Sequence, residues 1–460
     1  MYVSGVSIKD VHSEKRVFLA RVILAAVVSI LLVGSVVARL VQLQIVDHEL
    51  FAEKSQGNRF RMEPVPPTRG LIFDRKGKVV AENFPAYQLE LVPEQVGDID
   101  DTLQRLAALE LIEEEDIPRL KELSGSGPRF KPVTLKLRLT EEEIASFAIQ
   151  RPRFPGVDFR PRLVRVYPNG NYVAHAVGYV GALSTNDLER LDPAQYAGAS
   201  HTGKTGVEVA FESDLHGDPG FRHLLTNARG RQIPSDTSEL LGALPPSEVP
   251  VPGANVYLSI DLELQRIATE ALAGRRGALV ALEPWSGENL ALVSAPSFDP
   301  NLFAVGMTTS QYRELQDNPD RPLFNRAVSG AYPPGSTIKP MLALAALETG
   351  ATTLTRQTLC RGYFSLPGDE HRYRDWKPEG HGRVDLHDAI TQSCDVYFYE
   401  ISRDIGIDAM HDYLSRFGLG SPTGIDVSGE HKGIVPSREW KRNNFSDRDN
   451  QRWYLGETVI

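Results

Sequence analysis

The stretch Tyr332-Pro333-Pro334-Gly335-Ser336-Thr337-Ile338-Lys339-Pro340 contains a turn that delivers a serine to the start of a helix. Two prolines and a glycine interrupt the chain, and an apolar run with helical spacing follows at residues 341–347. Ser336 and Lys339 are three residues apart, so a helix would place them on one face and in contact. The run is apolar on nearly every side, which predicts a helix buried in a large core.

Ser336 and Lys339 carry the groups needed for nucleophilic chemistry. A serine hydroxyl attacks poorly until a base takes its proton, and a lysine amine in an apolar setting can act as that base. The first turn of a helix adds N–H groups and the positive end of a dipole, which stabilise developing negative charge. The spacing alone is weak evidence, because an N-cap serine followed by a solvated lysine fits it equally well.

A second element, Ser393-Cys394-Asp395, strengthens the catalytic interpretation. Penicillin-recognising serine enzymes carry Ser-x-x-Lys, then a Ser-x-Asn triplet, then a Lys-Thr-Gly strand, in that chain order. Asp395 stands where asparagine is commoner. Lys204-Thr205-Gly206 spells the third motif but precedes Ser336, so we predict that this lysine is structural and does not belong to the site.

Further stretches of the chain resemble the elongation-specific class B penicillin-binding proteins of Gram-negative bacteria. The stretches are Arg69-Gly70-Leu71-Ile72-Phe73-Asp74-Arg75, Ala295-Pro296-Ser297-Phe298-Asp299-Pro300-Asn301-Leu302-Phe303, Asn325-Arg326-Ala327, Leu366-Pro367-Gly368, Tyr373-Arg374-Asp375-Trp376-Lys377, Gly380-His381-Gly382, Thr423-Gly424-Ile425-Asp426 and Pro436-Ser437-Arg438-Glu439-Trp440-Lys441. The resemblance implies a peptidoglycan D,D-transpeptidase that cross-links stem peptides through a serine acyl-enzyme. It further implies a role in cell elongation and rod shape, and inhibition by β-lactams.

The resemblance also implies a role for each site residue. Ser336 would be the nucleophile and Lys339 its base, Ser393 would relay a proton to the leaving amine, and Asp395 would orient them. In the family a Lys-Thr/Ser-Gly strand follows the point where this sequence stops. We therefore expect a C-terminally truncated transpeptidase domain that lacks one oxyanion donor and is impaired in turnover.

The resemblance implies partners as well as chemistry: peptidoglycan stem peptides, a RodA-type glycosyltransferase and an MreC-type scaffold. Two non-catalytic functions stay open, a membrane-anchored β-lactam sensor and an inert scaffold of a morphogenetic complex. A carboxypeptidase and a division-specific transpeptidase are the nearest alternatives among enzymes. Trp376 fits either a wall of the substrate groove or a core position.

Cys360 and Cys394 are the only cysteines of the chain, and they suggest a structural site. A disulfide is the default for such a pair in an oxidising compartment. Together with Asp375 and His381, however, the two thiols would complete a closed four-ligand zinc site. Some members of the resembled family look similar in having a structural metal at corresponding positions. Zinc, a disulfide and free thiols remain open in that order, and the chemistry itself needs no cofactor. Further candidate ligands are His371, His387 and Asp369.

The N-terminal segment predicts a membrane anchor. Residues 22–38 are free of charge between Arg21 and Arg39, and residues 17–40 approach the length of about 20 residues that spans a bilayer. A cleaved signal peptide and a buried helix are the alternatives, and the long run without a clear cleavage site argues against the first. The basic residues before the span predict a cytoplasmic N-terminus and a periplasmic bulk at the inner membrane.

Length and composition predict several domains and no nucleic-acid partner. A chain of 460 residues is too long to fold around a single hydrophobic core. Its net charge of −10 argues against nucleic-acid binding and suits an ectodomain. We predict a cytoplasmic tail at 1–16, a transmembrane helix at 17–40, an elongated α+β pedestal at 41–250 and a transpeptidase domain at 251–460. The last would be an α/β domain like those of penicillin-binding proteins and β-lactamases. The proline-rich residues 240–252 would link the two.

Local patterns predict individual elements of these domains. They indicate a hairpin of residues 71–72 with 79–81, helices within 98–123 and 141–147, and an extended segment at 169–180. In the second domain Asp261 would cap a helix that ends near residue 273. Strands would follow at 278–283 and 289–293.

Overall fold

The computed structural model describes residues 11–46, 60–225, 247–368 and 370–444. Some sequence predictions fall outside these ranges. They concern residues 1–10, the linker start at 240–246, Asp369 and the final segment 445–460. The polar pattern of residues 42–60 also predicts a helical stalk after the membrane helix, and most of it, residues 47–59, lies outside the described residues. The chain divides into two compact units. One combines residues 1–67, 191–198 and 218–251, and the other combines 68–190, 199–217 and 252–460.

The first unit contains the apolar N-terminal helix, Val11–Val41, which continues as a π-helical turn at Gln42–Val46. Among the described residues, one helical stretch is long and apolar enough to cross a membrane, Phe18–Ile45, with a mean hydropathy of 2.5. Its apolar side chains are exposed, as those of a lipid-facing helix would be. The same unit contains strands Phe60–Val65 and Gly220–Leu225, which pair antiparallel.

The second unit begins with a five-stranded sheet around the long strand Val79–Leu91. Its other strands are Ile72–Phe73, Val133–Lys136, Val157–Val166 and Val256–Tyr257. The predicted hairpin is confirmed, because Ile72–Phe73 pairs antiparallel with the start of the long strand. The buried Asp74 carboxylate closes its turn by accepting the N–H groups of Lys76 and Lys78, both at 2.8 Å.

Helices, 3-10 turns and short strands make up the rest of this part of the chain. The α-helices are Ile99–Ala107, Ile117–Gly125, Glu141–Gln150, Ala174–Val177, Thr185–Arg190, Gly206–Ala210 and Glu212–His216. The 3-10 turns are Glu114–Asp116, Arg151–Arg153 and Gly170–Tyr172, and the short strands are Val180–Ala182, His201–Gly203, Gly217–Asp218 and Val251–Pro252. Leu89, Leu91, Leu103, Leu106 and Phe147 form part of the buried core between sheet and helices.

Residues 169–180 differ from the prediction. They were expected to be extended, but they form the turn Gly170–Tyr172 and the helix Ala174–Val177. All four side chains of that helix are buried, so no alternation or helical stripe marks it in the sequence. Gly178 ends it at a φ of 77°, which a glycine adopts without steric cost.

The buried ion cluster of this region contains Arg69, Arg165, Glu208 and Glu212. The fully buried Glu208 carboxylate accepts hydrogen bonds from Nε of Arg69 and Nε of Arg165, both at 2.7 Å. Arg69 also forms an ion pair with Glu212 at 2.6 Å. These carboxylates raise the pKa of Arg69, although burial opposes the rise. Arg69, which belongs to one of the stretches that carry the family resemblance, is thus held by an ion pair with Glu208 in this region of the fold.

The remainder of the second unit carries the serine helix (Lys339–Glu348). It opens with the helix Leu262–Ala271, capped by Asp261 as predicted, and the antiparallel strands Gly277–Leu282 and Asn289–Ala295. The further helices are Asn301–Ala304, Thr309–Asp317, Lys339–Glu348, Leu386–Thr391, Asp395–Ile405, Ile407–Arg416 and Arg438–Asn444. Two small strand pairs complete the region, Thr358–Cys360 with Gly382–Val384 and Tyr363–Phe364 with Tyr373–Arg374.

Candidate active site

The turn before the serine helix presents Ser336 to solvent. Gly335 begins the 3-10 turn Gly335–Ile338 at a φ of 56°, and the serine helix follows directly. Pro340 is tolerated in its first turn because the N–H it lacks would have no partner there. Ser336 is exposed, whereas Leu342, Ala343, Ala345 and Ala346 are buried, which confirms the predicted core helix. Leu344 departs from the prediction, with 43 % of its surface exposed.

Ser393 lies in a tight turn between two helices. The helix Leu386–Thr391 ends just before it, and Cys394 is the N-cap of the helix Asp395–Ile405. Ser393 has a φ of 54°, in the left-handed region, which costs a non-glycine residue about 1 kcal/mol or more. Such strain persists only where surrounding contacts enforce it. Here the N–H of Ser393 bonds the carbonyl of Ile390 at 3.2 Å, and its own carbonyl accepts Lys339 Nζ at 2.9 Å.

A hydrogen-bonded relay joins the four residues predicted for catalysis. Lys339 Nζ contacts Asp395 Oδ1 at 2.5 Å and Ser393 Oγ at 3.1 Å. Ser393 Oγ in turn donates to Ser336 Oγ at 3.0 Å. The sequence predicted a direct contact between Ser336 and Lys339. In the structure the described hydrogen bonds connect the amine to the exposed serine through Ser393.

The Lys339 amine is shielded from water although its serine is not. Lys339 has 7 % of its surface exposed, and its Nζ lies 5.5 Å from the centre of the buried Phe398 ring. Asp395 divides its carboxylate between two donors, Lys339 at Oδ1 and the backbone N–H of Trp376 at Oδ2, the latter at 3.1 Å. Neither Phe398 nor this backbone donor was identified from the sequence, since both depend on the packing of distant segments.

Trp376 lies beside the relay with 64 % of its surface exposed, so it is not a core tryptophan. Its indole N–H donates to the carbonyl of Gln392 at 3.1 Å, immediately before the strained Ser393. The exposed ring leaves the groove-wall interpretation open. The segment Tyr373-Arg374-Asp375-Trp376-Lys377, which carries part of the family resemblance, was the sequence signal that could have predicted a place for Trp376 beside the relay.

A candidate metal centre lies directly behind the relay. Cys360, Asp375, His381 and Cys394 each offer one ligand atom, and these atoms lie within 4.8 Å of one another. Asp375 Oδ2 is 3.4 Å from Cys360 Sγ and 3.5 Å from Cys394 Sγ, and His381 Nδ1 is 3.5 Å from both Asp375 Oδ1 and Cys360 Sγ. Both cysteines are buried free thiols, so the disulfide alternative does not describe this structure.

The donor set fits a soft divalent cation. Two thiols, an imidazole and a carboxylate are the ligands that zinc prefers in closed structural sites. Among the described residues the buried Nε2 of His381 has no hydrogen-bond partner, whereas Nδ1 of the same ring lies near Cys360 and Asp375. Burial and the neighbouring Cys360 raise the pKa of the Cys394 thiol well above its usual value.

Asp375 connects the candidate metal centre to the relay. Its Oδ2 accepts the N–H groups of Asp395 at 2.8 Å and Val396 at 3.1 Å, at the start of the Asp395–Ile405 helix. Burial opposes ionisation of this carboxyl, but the N–H groups of Lys377 and Val396 lower its pKa below the usual value. A group that holds Asp375 in place therefore also holds the backbone of Asp395.

The other candidates from the sequence lie elsewhere. His387 belongs to a second, more exposed group with Asp385 and Asp388, and His371 packs edge-on against the Tyr373 ring at 4.6 Å. Lys204 forms an ion pair with Asp187, far in sequence from the relay, in agreement with the structural role predicted for it.

Two family models match the chain. The penicillin-binding protein dimerisation domain matches residues 64–258, and the penicillin-binding protein transpeptidase domain matches residues 277–449. These ranges cover the sheet of the second unit and the region that carries the serine helix. The unmatched N-terminal residues include the candidate membrane helix.

Similar proteins carry names that agree with these models. The chain is 41 % identical to the peptidoglycan D,D-transpeptidase MrdA of Acinetobacter baumannii, over 98 % of this chain and 65 % of the relative. It is 38 % identical to MrdA of Escherichia coli, over 98 % of this chain and 70 % of the relative. The chain thus spans about two-thirds of the length of these curated relatives.

A solved structure is similar as well. The complex between the penicillin-binding protein PBP2 and MreC from Helicobacter pylori matches with a TM-score of 0.73 and 28 % identity, over 87 % of this chain and 73 % of that one. The agreement of both family models, the relatives and this fold leaves one assignment. The chain belongs to the MrdA-type penicillin-binding proteins, a family of peptidoglycan D,D-transpeptidases.

Proposed function

We propose that the protein forms a serine acyl-enzyme with peptidoglycan stem peptides and passes the acyl group to the amine of a neighbouring stem peptide. The observation that carries this proposal is the relay from Lys339 through Ser393 to the exposed Ser336. It gives a nucleophile open to a large substrate and a base removed from water. The resemblance to elongation-specific class B penicillin-binding proteins favours cell elongation as the setting.

In the first step Ser336 Oγ attacks the carbonyl of the penultimate D-alanine. Its proton passes along Ser393 Oγ to the amine of Lys339, which accepts it as the general base in this proposal. The bond from Ser336 Oγ to the carbonyl carbon forms, and the bond to the terminal D-alanine nitrogen breaks. Ser393 returns the proton to that leaving amine.

Charge that develops on the carbonyl oxygen needs donors close by. Ser336 lies in the first helical turn, where backbone N–H groups have no partner within the helix, so its N–H supplies one oxyanion donor in this proposal. In the second step the amine of another stem peptide attacks the acyl carbon. Its proton follows the same relay, and Ser336 Oγ leaves as the free hydroxyl.

We infer that Cys360, Asp375, His381 and Cys394 hold a structural zinc ion. When bound, zinc would link the two small strand pairs and the N-cap of the Asp395–Ile405 helix through four protein ligands. Its contribution to catalysis would be indirect. Asp375 would be kept in the position from which it accepts the N–H of Asp395.

The N-terminal helix and the H. pylori complex support a cellular setting. We propose a single-pass anchor in the cytoplasmic membrane with the N-terminus inside and the bulk in the periplasm, because basic residues precede the apolar helix. An MreC-type scaffold is the proposed partner, since the H. pylori relative was solved with MreC. A RodA-type glycosyltransferase is proposed from the family resemblance.

Covalent labelling by a fluorescent penicillin tests the assignment of Ser336. In the intact protein we expect labelling of the natural sequence and none in Ser336→Ala, because a β-lactam acylates the same oxygen as the substrate. Ser329→Ala is a matched control, since Ser329 Oγ only donates to the carbonyl of Gly429. Labelling of the Ser336→Ala protein would refute the proposal. A stable acyl-enzyme that cross-links no stem peptide would indicate a sensor instead.

A further inference from the structure

Phe398 forms an aromatic wall beside the amine of Lys339. Its ring is 3 % exposed, and Lys339 Nζ lies over it, 5.5 Å from the ring centre. This distance is within the range of about 6 Å over which an aromatic face attracts a cation. The attraction is strongest where water is excluded, and Lys339 has only 7 % of its surface exposed. The two side chains therefore have the geometry of a buried cation–π contact.

The helix Asp395–Ile405 brings both the ring and a carboxylate to this amine. Asp395 and Phe398 are three residues apart, so they lie on the same face of the helix. Asp395 contacts Lys339 Nζ through Oδ1 at 2.5 Å, and the Phe398 ring approaches the same nitrogen from the following turn. One element of the fold thus supplies two groups that attract positive charge at Lys339.

The rings on either side of Phe398 have other partners. The Tyr397 hydroxyl shares a hydrogen bond with Thr352 Oγ1 at 2.8 Å, and the Tyr399 hydroxyl donates to the carbonyl of Arg374 at 3.4 Å. The Tyr397 ring also packs against Phe398 at 5.7 Å with an interplanar angle of 67°. This contact and the surrounding core hold the Phe398 ring in place.

The charge on Lys339 changes during acylation. In the proposed function the proton of Ser336 moves through Ser393 Oγ to Lys339 Nζ, so positive charge grows on a nitrogen that water hardly reaches. Burying a charge costs free energy unless other groups compensate for it. Asp395 compensates as the ionic partner. The aromatic ring adds attraction for the cation and has no basic atom that could take the proton instead.

We propose that Phe398 is a positioning residue for acylation, whose aromatic face stabilises the positive charge that Lys339 gains in the transition state. A contact that strengthens as this charge develops lowers the barrier, whereas a contact of equal strength before and during the reaction does not. This role rests on the proposed function, because it requires Lys339 to accept the proton.

Phenylalanines with one, two or three ring fluorines, incorporated at position 398 of the full chain, test this role. Each fluorine withdraws electron density from the ring face and weakens its attraction for a cation, with little change in size. Time courses with increasing fluorescent penicillin separate the maximal acylation rate from the concentration that gives half of it. We expect the maximal rate to fall stepwise, about tenfold with three fluorines, and the half-saturating concentration to stay unchanged.

Trifluorophenylalanine at position 147 is the matched control. Phe147 is fully buried against the rings of Phe154 and Phe159 in a different core, and among the described residues no cation lies over its ring. The same three fluorines should leave acylation unchanged there. Thermal unfolding shows that each protein is folded. A role of Phe398 in packing alone would not make the acylation rate follow the number of fluorines.

Equal rates across the series at position 398 would overturn the proposed role. Rates that rise with fluorine would do the same, because the ring would then stabilise charge on Lys339 more before the reaction than during it. A change confined to the half-saturating concentration would place the effect in binding and would also overturn it. In all three cases labelling of the natural protein, with none in Ser336→Ala, leaves the proposed function intact. A natural protein that is not labelled would overturn both.

Discussion

Two lysine–aspartate–serine groups can be compared within the part of the chain that the structure describes, and the one around Lys339 resembles an active site while the one around Lys204 does not. Around Lys339 the amine contacts Asp395 and Ser393, and around Lys204 the amine contacts Asp187, which in turn binds Ser184. The composition of the two groups is the same. Both lysines are largely buried, with 9 % and 22 % of their side chains exposed.

The two groups differ in where the serine hydroxyl points. Ser184 Oγ donates to Asp187 at 2.6 Å, and the N–H of Ser184 donates to the same oxygen at 2.8 Å, which closes a helix cap. Burial opposes ionisation of Asp187, but the hydrogen bonds from Lys204 and Ser184 lower its pKa well below the usual value. Ser184, Asp187 and Lys204 thus bind one another, and the Ser184 hydroxyl is not directed at a second hydroxyl. In the other group Ser393 Oγ is directed away from the carboxylate, towards a second, exposed hydroxyl.

This difference shows that residue types alone do not define a catalytic site. A closed network uses its charges to hold a local fold, whereas an open one ends on an atom that a substrate can reach. The left-handed turn at Ser393 makes the second arrangement possible, because it turns the hydroxyl towards Ser336. Making the same substitution at the equivalent residue of each group therefore tests whether only the open network supports catalysis.

The largest effect is expected from the lysines. Lys339→Met should slow acylation by labelled penicillin about 100- to 10,000-fold, because it removes the proposed general base. Lys204→Met should leave the acylation rate unchanged and lower the free energy of unfolding by about 1–3 kcal/mol, since Asp187 loses its more buried ionic partner and keeps only the exposed Arg190. A time course of labelling by fluorescent penicillin measures the acylation rate, and thermal unfolding measures the change in stability. A comparable loss of acylation in both variants would remove the distinction between the groups.

The serines should separate in the same way with smaller effects. Ser393→Ala interrupts the only described link from Lys339 Nζ to Ser336, and we expect acylation to slow about 100-fold. Ser184→Ala should reduce stability by about 1 kcal/mol through loss of the helix cap, with no change in acylation. Normal acylation in the Ser393→Ala protein would show that Lys339 reaches Ser336 by another path.

Metal removal probes the group behind the relay. Native mass spectrometry should detect one zinc ion per chain, lost in Cys360→Ser but retained in His387→Ala, whose imidazole lies in a different group. Loss of zinc should lower the melting temperature and slow acylation several-fold, because Asp375 positions the N–H of Asp395. A metal-free protein whose mass is lower by two hydrogens would instead contain a disulfide between Cys360 and Cys394.

The smallest effect is expected at Trp376. Trp376→Phe keeps an aromatic ring but removes the indole hydrogen bond to Gln392, which is worth about 1 kcal/mol. We therefore expect acylation to slow about fivefold, with little change in thermal stability because the ring is exposed. Trp285→Phe is the matched control, since Trp285 is exposed on the turn at residues 284–286 and makes no described contact with the relay. Equal effects of the two substitutions would argue against a role for Trp376 in positioning Ser393.

Much of the candidate site was predictable because its motifs are short and local. The spacing of Ser336 and Lys339 and the following apolar run predicted a helix with the lysine at its start, and the structure has both. Asp261 as a cap and the hairpin before Val79 were also predictable, because turn and cap chemistry acts over a few residues. The grouping of Cys360, Asp375, His381 and Cys394 was recognised from the resemblance, and the structure brings these ligand atoms together.

Sequence by itself therefore determined which residues can carry the chemistry and which local elements present them. Only the tertiary structure decided that Lys339 reaches Ser336 through Ser393 and that the Trp376 indole binds the carbonyl of Gln392. It also decided that Arg160 and Arg162 share Glu90. These contacts join segments far apart in the chain, so no local pattern encodes them. They form because the packing of the core brings polar groups from distant segments next to one another.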